Sequence, residues 1–166
     1  GSDAILKLMK RRYLSNLYRD RINHIKQVMP NACIGADVIV GFPGETEEEF
    51  METYNFIKSL DLSYLHVFTY SERDNTEAKG LNNVVPSNIR SKRSKLLRAF
   101  SVQLKRKFYM SQLGTIKNVL FESENRNGFI YGFSNNYVRI KTPWRSSIKD
   151  KIIPFELQNI SDDGLV

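Results

Sequence analysis

Cysteine, histidine and long apolar runs are scarce in this sequence. Its 166 residues include one cysteine, Cys33, and two histidines, His24 and His66. A single cysteine excludes an intrachain disulfide and agrees with a reducing compartment. Three such residues cannot supply a zinc tetrad or an iron–sulfur cluster, so no metal site is expected in this chain. No apolar run approaches the roughly 18 residues of a membrane span, and no signal peptide is recognisable. These absences predict a cytoplasmic protein without a membrane partner.

Acidic residues are absent from residues 86–112, which carry eight basic ones. Residues 37–85 have the opposite bias, with ten acidic and three basic residues, and the whole chain has a net charge of +7. A clustered basic segment predicts a polyanionic partner, most simply nucleic acid. A solvated, lysine-rich helix face explains such a charge run equally well, and both interpretations stay open at this point.

The most informative stretch is DVIVGFPGETEEEF, residues 37–50. Its three consecutive β-branched residues, 38–40, suit a strand that is buried on both faces. Glycines and a proline then end the strand, and Thr46 followed by Glu49 is a capping-box pattern that begins a helix. The segment therefore predicts a strand–turn–helix unit whose turn lies at the carboxyl end of the strand, where parallel α/β folds bind ligands.

The first half of the chain predicts two helices, a strand, a helix and a second, parallel strand. The helices are expected over residues 3–13 and from Ser15 to Pro30, and the second strand over residues 63–70. Two strands cannot close a barrel or cover their own edges, and a full barrel needs about 250 residues. Either this half pairs with something else or it belongs to a longer protein, which we favour.

The second half begins with a loop and a long basic helix, residues 87–112, and then changes to short strands. Four or five strands within residues 115–166 predict a small closed β-barrel of the OB type. The expected fold class is thus α/β, a partial parallel barrel with about two strands, followed by a small all-β barrel. The expected domains are the partial parallel barrel over residues 1–84, a connecting helix over 85–114, and the all-β barrel over 115–166.

DVIVGFPGET closely resembles a signature of the radical S-adenosylmethionine (SAM) methylthiotransferases. VLFE (119–122), GFIYGFSNNYVRIK (128–141) and the final DDGLV resemble the TRAM domain, a small RNA-binding barrel of tRNA-modifying enzymes. GSDAILKLMKRRY and LHVFTYSERDNTEA resemble other parts of the same family, and the His-Val-Phe string resembles the branch that acts on N6-threonylcarbamoyladenosine. The family usually has Pro-Gly where Asp74-Asn75 stand and Pro at Glu77, so altered substrate contacts are possible in this loop.

The resemblance implies a carboxyl-terminal part of an enzyme that adds a methylthio group to C2 of a modified adenosine beside the tRNA anticodon. The implied cofactors are SAM and 4Fe–4S clusters, whose cysteine ligands lie outside this chain. The implied partners are tRNA and the missing amino-terminal part of the same protein. This part alone is expected to be inactive, and no catalytic residue is assigned to it.

The resemblance also implies which residues contact SAM. The implied contacts are Ser2 at the ribose, Arg11 at the carboxylate, Phe68 and Tyr70 near the adenine, and Asp37 and Gly41 beside them. Taken alone, the arginine would be an exposed helix residue and the two aromatic residues would belong to the core. His66 is expected to line the barrel or join its core, not to bind a metal.

The second half also interleaves aromatic and basic residues, which suits unpaired bases and phosphates. The candidate RNA-binding residues are Arg126, Tyr131, Tyr137, Arg139, Lys141, Trp144 and Arg145. The period of a strand would divide them between two faces, so some are expected in the core. Tyr137 is expected to point outward and Trp144 to lie in a loop.

Three alternatives stay open beside this function. The chain could be a non-catalytic RNA-binding protein with an α/β docking platform. It could also belong to a methylthiotransferase that acts on isopentenyladenosine or on a ribosomal protein. A cluster-binding CxxxCxxC motif upstream in the parent gene would favour an enzyme over a binding protein.

Overall fold

The computed structural model describes residues 1–166, with four helices and six strands in the predicted order. The helices are α1 (Asp3–Leu8), α2 (Ser15–Val28), α3 (Glu47–Lys58) and α4 (Ser87–Gln112). The strands are β1 (Gly35–Val40), β2 (Tyr64–Thr69), β3 (Ile116–Phe121), β4 (Phe129–Ser134), β5 (Arg139–Pro143) and β6 (Ile152–Glu156). The chain divides into two units, residues 1–104 and 105–166. Each unit is described separately below.

Helix α1 ends at Leu8, so the predicted extent to Tyr13 is wrong. The Arg11 N–H bonds to the carbonyl of Leu6 and the Lys10 N–H to that of Lys7, and Lys10 has a φ of 54°. This is the hydrogen-bond pattern of a Schellman motif, in which the left-handed residue is usually glycine. A lysine in that position left no signal in the sequence.

Strands β1 and β2 pair in parallel, as predicted, with Gly35 opposite Tyr64 and Val40 opposite Thr69. Thr46 and Glu49 form the predicted capping box, in which each side chain accepts a hydrogen bond from the backbone N–H of the other residue. The core that results is apolar and continuous. Its fully buried members include Val40, Phe50 and Leu97, from β1, α3 and α4.

The two outer edges of this small sheet differ. The Ser101 hydroxyl on α4 both accepts a hydrogen bond from the Leu65 N–H (2.8 Å) and donates one to the Leu65 carbonyl, and Arg98 donates to the Val67 carbonyl. Side chains of α4 thus cover the edge of β2. No strand pairs with the other edge of β1. The predicted uncovered edge is therefore present at β1 but not at β2.

The second unit contains an antiparallel sheet with the strand order β5-β4-β3-β6. Val119, Ile130 and Ile140 point into its core and are fully buried. The sheet is open, so the predicted closed barrel is wrong: β5 pairs with the end of the chain, not with β6. The Lys141 N–H donates to the Val166 carbonyl (2.7 Å), and the Val166 N–H donates to the Arg139 carbonyl (3.1 Å).

No helix of the chain combines the length and the apolar character that crossing a membrane requires.

Candidate functional site

The first unit encloses a cavity of about 600 Å³ beside its parallel strands. Strand β2 lines it with alternate residues, because side chains of a strand alternate between two sides, and β1 lines it with residues 35–39. Three residues of each strand lie opposite one another in the register: Gly35 and Tyr64, Asp37 and His66, and Ile39 and Phe68. Residues of α1 and of the segment that follows it complete the wall.

Four of the six residues expected to contact SAM line this cavity: Ser2, Arg11, Asp37 and Phe68. They come from three separate parts of the chain, so only the fold brings them together. Phe68 is 53% exposed and is not a core residue. Arg11 is exposed and makes no ion pair, which leaves its guanidinium available to a ligand.

Ser2 is the most unusual residue of the cavity wall. It is 1% exposed, and its hydroxyl oxygen has no hydrogen-bond partner. Its backbone N–H donates to the Thr53 hydroxyl at 2.9 Å, which holds the residue in place. A buried hydroxyl without a partner costs roughly 1–3 kcal/mol. A rotation of this side chain toward the cavity would let a polar ligand such as a ribose satisfy the hydroxyl, which otherwise has no accessible surface.

The other polar groups of the cavity are of mixed charge. Asp37 supplies a carboxylate, and His66 lies edge-on to the Tyr64 ring at 5.1 Å. Burial raises the pKa of the Tyr18 phenol, and the negative charge of Asp37 raises it further. With Arg11 on the wall as well, the cavity offers both a cation and an anion, which suits a zwitterionic amino-acid group.

Gly41 and Tyr70 do not line the cavity. Gly41 has a φ of 76°, and a Cβ built on it would lie 2.4 Å from Cγ of Arg90. The space beside this glycine is thus filled by a helix side chain. Tyr70 packs edge-on against Phe42 at 5.3 Å, and the Arg90 guanidinium lies over its ring.

A glycine that the sequence analysis did not single out shapes the wall of the cavity. A Cβ on Gly35 would lie 2.4 Å from the ring of Tyr64, so the ring lies directly over this glycine. The available signal was a glycine at the start of a strand pattern, which often marks such a close approach.

The second unit presents a separate candidate site on the solvent side of its sheet. Strand β4 turns Phe129, Tyr131 and Phe133 to this side and buries the residues between them. In the register with β5, Tyr131 lies opposite Lys141 and Phe133 opposite Arg139. Aromatic and basic side chains therefore alternate on one face, which we call the aromatic–basic face.

The basic groups of this face lie over its rings. The Arg139 guanidinium is 4.4 Å from the centre of the Phe133 ring, the Lys141 ammonium 4.6 Å from that of Phe129, and the Arg126 guanidinium 5.8 Å from that of Tyr131. Carboxylates hold the cations from the other side. Arg139 pairs with Glu122, and Lys141 pairs with Asp163 at 2.6 Å. Lys141 and the Ser161 hydroxyl lower the pKa of Asp163 to about 2.

None of the seven candidate RNA-binding residues is buried, so the expectation that some join the core is wrong. Those that lie in strands, Tyr131, Arg139 and Lys141, all point to the same face of the sheet. Tyr137 is 71% exposed, as predicted, and Trp144 lies in the loop after β5. Arg145 is exposed and has no ion pair. Phe133 was not among the candidate residues, although it lies two residues after Tyr131 in β4 and so points to the same face.

The chain was compared with protein families and with curated proteins. No family model matches the chain. It is 41% identical over 163 residues to threonylcarbamoyladenosine tRNA methylthiotransferase MtaB of Bacillus subtilis, which covers 95% of the chain and 36% of that relative. It is 37% identical over 157 residues to tRNA-2-methylthio-N(6)-dimethylallyladenosine synthase of Fervidobacterium nodosum, which covers 94% and 34%.

The chain belongs to the tRNA methylthiotransferase family. An MtaB of Aquifex aeolicus is 39% identical over 141 residues, and the identities favour the MtaB-type branch of the family. The chain spans about a third of the length of these methylthiotransferases. It contains no group of three or more histidine, cysteine or acidic side chains that could hold a metal ion, so its own residues do not fit an iron–sulfur cluster.

Proposed function

We propose that the chain is the carboxyl-terminal part of a tRNA methylthiotransferase that adds a methylthio group to C2 of N6-threonylcarbamoyladenosine, next to the anticodon. The first unit contributes a wall of the SAM cavity, and the second unit binds tRNA in the cytoplasm. The observation that carries the proposal is the meeting of Ser2, Arg11, Asp37 and Phe68 in one cavity.

The cavity residues have separate roles toward SAM. Arg11 pairs with its carboxylate, because a guanidinium matches a carboxylate with two parallel hydrogen bonds. Ser2 satisfies its buried hydroxyl on the ribose, Asp37 contacts the amino-acid ammonium, and Phe68 covers the adenine. SAM and the cluster supply the radical chemistry, and the protein binds, orients and excludes water. We place the cysteine ligands of the cluster in the remainder of the protein.

The open edge of β1 supports a longer protein. In a closed parallel barrel every strand has a neighbour at both edges, whereas β1 has only β2. Since α4 covers the edge of β2, β2 would be the last strand of a partial barrel, and further strands would add at β1. In this proposal the barrel part extends over residues 1–84, α4 belongs to a connecting segment over 85–114, and a TRAM-like domain follows from residue 115.

The aromatic–basic face supports tRNA as the partner of the second unit. Rings stack on unpaired bases and the cations between them meet phosphates, which is how proteins bind single-stranded loops such as an anticodon loop. Tyr131, Tyr137, Arg139 and Lys141 lie on or beside this face, and Arg126, Trp144 and Arg145 lie in the loops that adjoin it.

Reconstitution of the full-length protein tests this function. The protein encoded by the complete gene is supplied with iron, sulfide, reductant, SAM and tRNA, and the nucleosides are analysed by mass. We expect methylthio-threonylcarbamoyladenosine from the wild type and little from the Arg11→Met variant. Methylthio-isopentenyladenosine would move the protein to the other branch. The absence of any methylthio nucleoside, together with retained tRNA binding, would instead indicate a non-catalytic RNA-binding protein.

A further inference from the structure

Arg90 of α4 is almost completely buried and reaches the end of β2. Its side chain donates to the carbonyls of Val85 (2.6 Å) and Tyr70 (2.9 Å) and to the carboxylate of Glu72 (2.6 Å). These acceptors lie at both ends of the loop over residues 71–85. One guanidinium therefore joins the point where the chain leaves β2 to the point where it enters α4.

Arg93, one turn further along α4, donates to the turn that follows β1. It is 5% exposed and donates to the carbonyl of Glu45 (3.0 Å), to its carboxylate (2.8 Å) and to the carboxylate of Glu47 (3.0 Å). The same Glu45 carboxylate accepts a hydrogen bond from the Gly41 N–H at 2.6 Å. The turn between β1 and α3 is thus closed by a carboxylate that an α4 arginine holds.

Glu45 connects this arrangement to the cavity. Its side chain is 2% exposed, and the residue is part of the cavity wall. Burial raises the pKa of this carboxyl group, while the Gly41 N–H and Arg93 act in the opposite direction. Without both partners a carboxylate in this place would be an uncompensated buried charge, which proteins avoid by protonation or by moving the group into water.

A backbone hydrogen bond links the two segments to each other. The Gly44 N–H donates to the Asn83 carbonyl at 2.9 Å, so the turn after β1 contacts the loop after β2. The stem of Arg90 fills the space beside Gly41, where any Cβ would collide with it. Helix α4, the turn and the loop therefore form one connected unit at the carboxyl ends of the strands.

We propose that Arg90 and Arg93 are positioning residues, which hold the turn after β1 and the loop after β2 in the geometry that ligand binding in the cavity requires. In this assignment Gly41 serves the packing of Arg90 and does not approach the cofactor itself. The inference rests on the proposed function for the identity of the ligand, SAM. The structural part of it, that the two arginines order these two segments, can be tested without any ligand.

Arg98 provides a matched control on the same helix. It also donates to a strand carbonyl, that of Val67 at 2.8 Å, but this carbonyl lies in the middle of β2. Its side chain is exposed and contacts neither the turn nor the loop. Replacing Arg98 therefore removes a bond from α4 to the sheet and leaves the strand ends as they are.

Amide hydrogen exchange, resolved by residue with NMR, tests the structural part. The variants are Arg90→Lys, Arg93→Lys and Arg98→Lys in the complete chain, since lysine keeps the charge that compensates Glu45 and so favours folding. We expect exchange at Gly41 and Gly44 to become at least tenfold faster in the first two variants, while Ala36 and Val38 stay protected. The Arg98→Lys variant should leave all four amides within twofold of the wild type.

Two exchange results would overturn the proposal. One is unchanged protection of Gly41 and Gly44 in the Arg90 and Arg93 variants. The other is an equal loss of protection throughout β1, β2 and α3, which would show that the arginines only stabilise the fold.

Titration of the full-length protein with SAM, after reconstitution with iron and sulfide and followed by calorimetry, tests the functional part. We expect the Arg90→Lys and Arg93→Lys variants to bind at least tenfold more weakly than the wild type and Arg98→Lys to bind within twofold of it. Faster exchange at Gly41 and Gly44 with unchanged SAM affinity would refute the positioning role. A full-length wild type that does not bind SAM would contradict the proposed cofactor cavity, and the exchange data would then decide the role of the arginines alone.

Discussion

The two sheets of this chain differ in what lies on their two sides and in how they use arginine. The parallel sheet of the first unit has a core on one side, a cavity on the other and a bare edge at β1. The antiparallel sheet of the second unit has a core on one side and exposed rings on the other. Arginines are buried against carboxylates in the first unit and lie over exposed rings in the second. The first sheet thus leaves a strand edge unpaired, whereas the second leaves aromatic side chains exposed to solvent.

This difference predicts separate responses to mutation. The buried core cluster around Phe50 consists of residues that all belong to the first unit, so a cavity made there does not weaken the second unit directly. Trp144, the only tryptophan of the chain, lies in the second unit and reports on that unit by its fluorescence.

The largest expected effects come from core truncations. Phe50→Ala should lower the free energy of unfolding of the first unit by about 3–5 kcal/mol, because it removes a buried ring and leaves a cavity. Ile130→Ala should cost the second unit about 2–5 kcal/mol for the same reason. Circular dichroism should detect the first change, and Trp144 fluorescence only the second. A single transition that shifts equally in both variants would show that the units unfold together.

Removal of Arg93 should come next. Arg93→Met leaves the Glu45 carboxylate buried without a cation, at a cost of about 3 kcal/mol near neutral pH. Burial raises the pKa of Glu45, and the loss of the cation raises it further. The folded variant then holds a proton that the unfolded chain releases, so its stability falls as pH rises from about 4.5 through the folded pKa.

Chemical denaturation across pH measures this effect, and Glu45→Gln in the same background provides the control. The double variant, Arg93→Met with Glu45→Gln, has no buried charge and should lose the pH dependence. A double variant as pH-dependent as Arg93→Met would assign the dependence to another group.

The aromatic–basic face should give a smaller effect, and on binding only. Phe133→Ala should weaken tRNA binding by about 1–3 kcal/mol, the typical contribution of one stacked base. Val28→Ala removes a side chain that is 66% exposed on α2, in the first unit, and is the control. Filter binding or anisotropy with unmodified tRNA measures both. Equal losses in the two variants would show that the rings have no special role.

The capping box offers a more modest change in the first unit. Thr46→Ala should cost about 1 kcal/mol, because the Glu49 N–H loses its acceptor. Glu49→Ala removes the reciprocal bond and should act in the same direction. Thermal unfolding measures both, and Glu48→Ala, in the same turn but outside the box, should change stability less.

Protonation of Asp163 in the second unit should have the smallest effect. The pKa of Asp163 is lowered to about 2 by Lys141 and Ser161, so its contribution is fully present above pH 3.8. It is lost as pH falls from 3.8 toward about 2. NMR chemical shifts of Lys141 and Val166 should follow this titration, and Lys141→Met should move its midpoint toward the ordinary pKa of an aspartate.

Local features of the fold were predictable, since their signals lie within a few residues. The capping box of Thr46 and Glu49 and the extent of α4 follow from short patterns. The end of α1 was not predictable, because Lys10 takes a left-handed conformation that usually needs glycine. Closure of the second sheet was also mispredicted, because strand counts do not show that Val166 pairs with β5.

The residues of the candidate sites were likewise not predictable from local patterns where their partners lie far away along the chain. Four cavity residues came from a family resemblance, and none of them was evident from composition. Arg90 and Arg93 were counted among the charges of a basic helix, because their acceptors lie 18 and 48 residues away along the chain. No local pattern separates them from the exposed lysines beside them.

Gly35 has a consequence for the reach of the cavity. Since the Tyr64 ring lies where a Cβ would be, even alanine at this position would force the ring to move, and both residues line the cavity. The width of the cavity beside this pair therefore depends on glycine at position 35, and a larger residue there would measure how much room a ligand of the cavity needs.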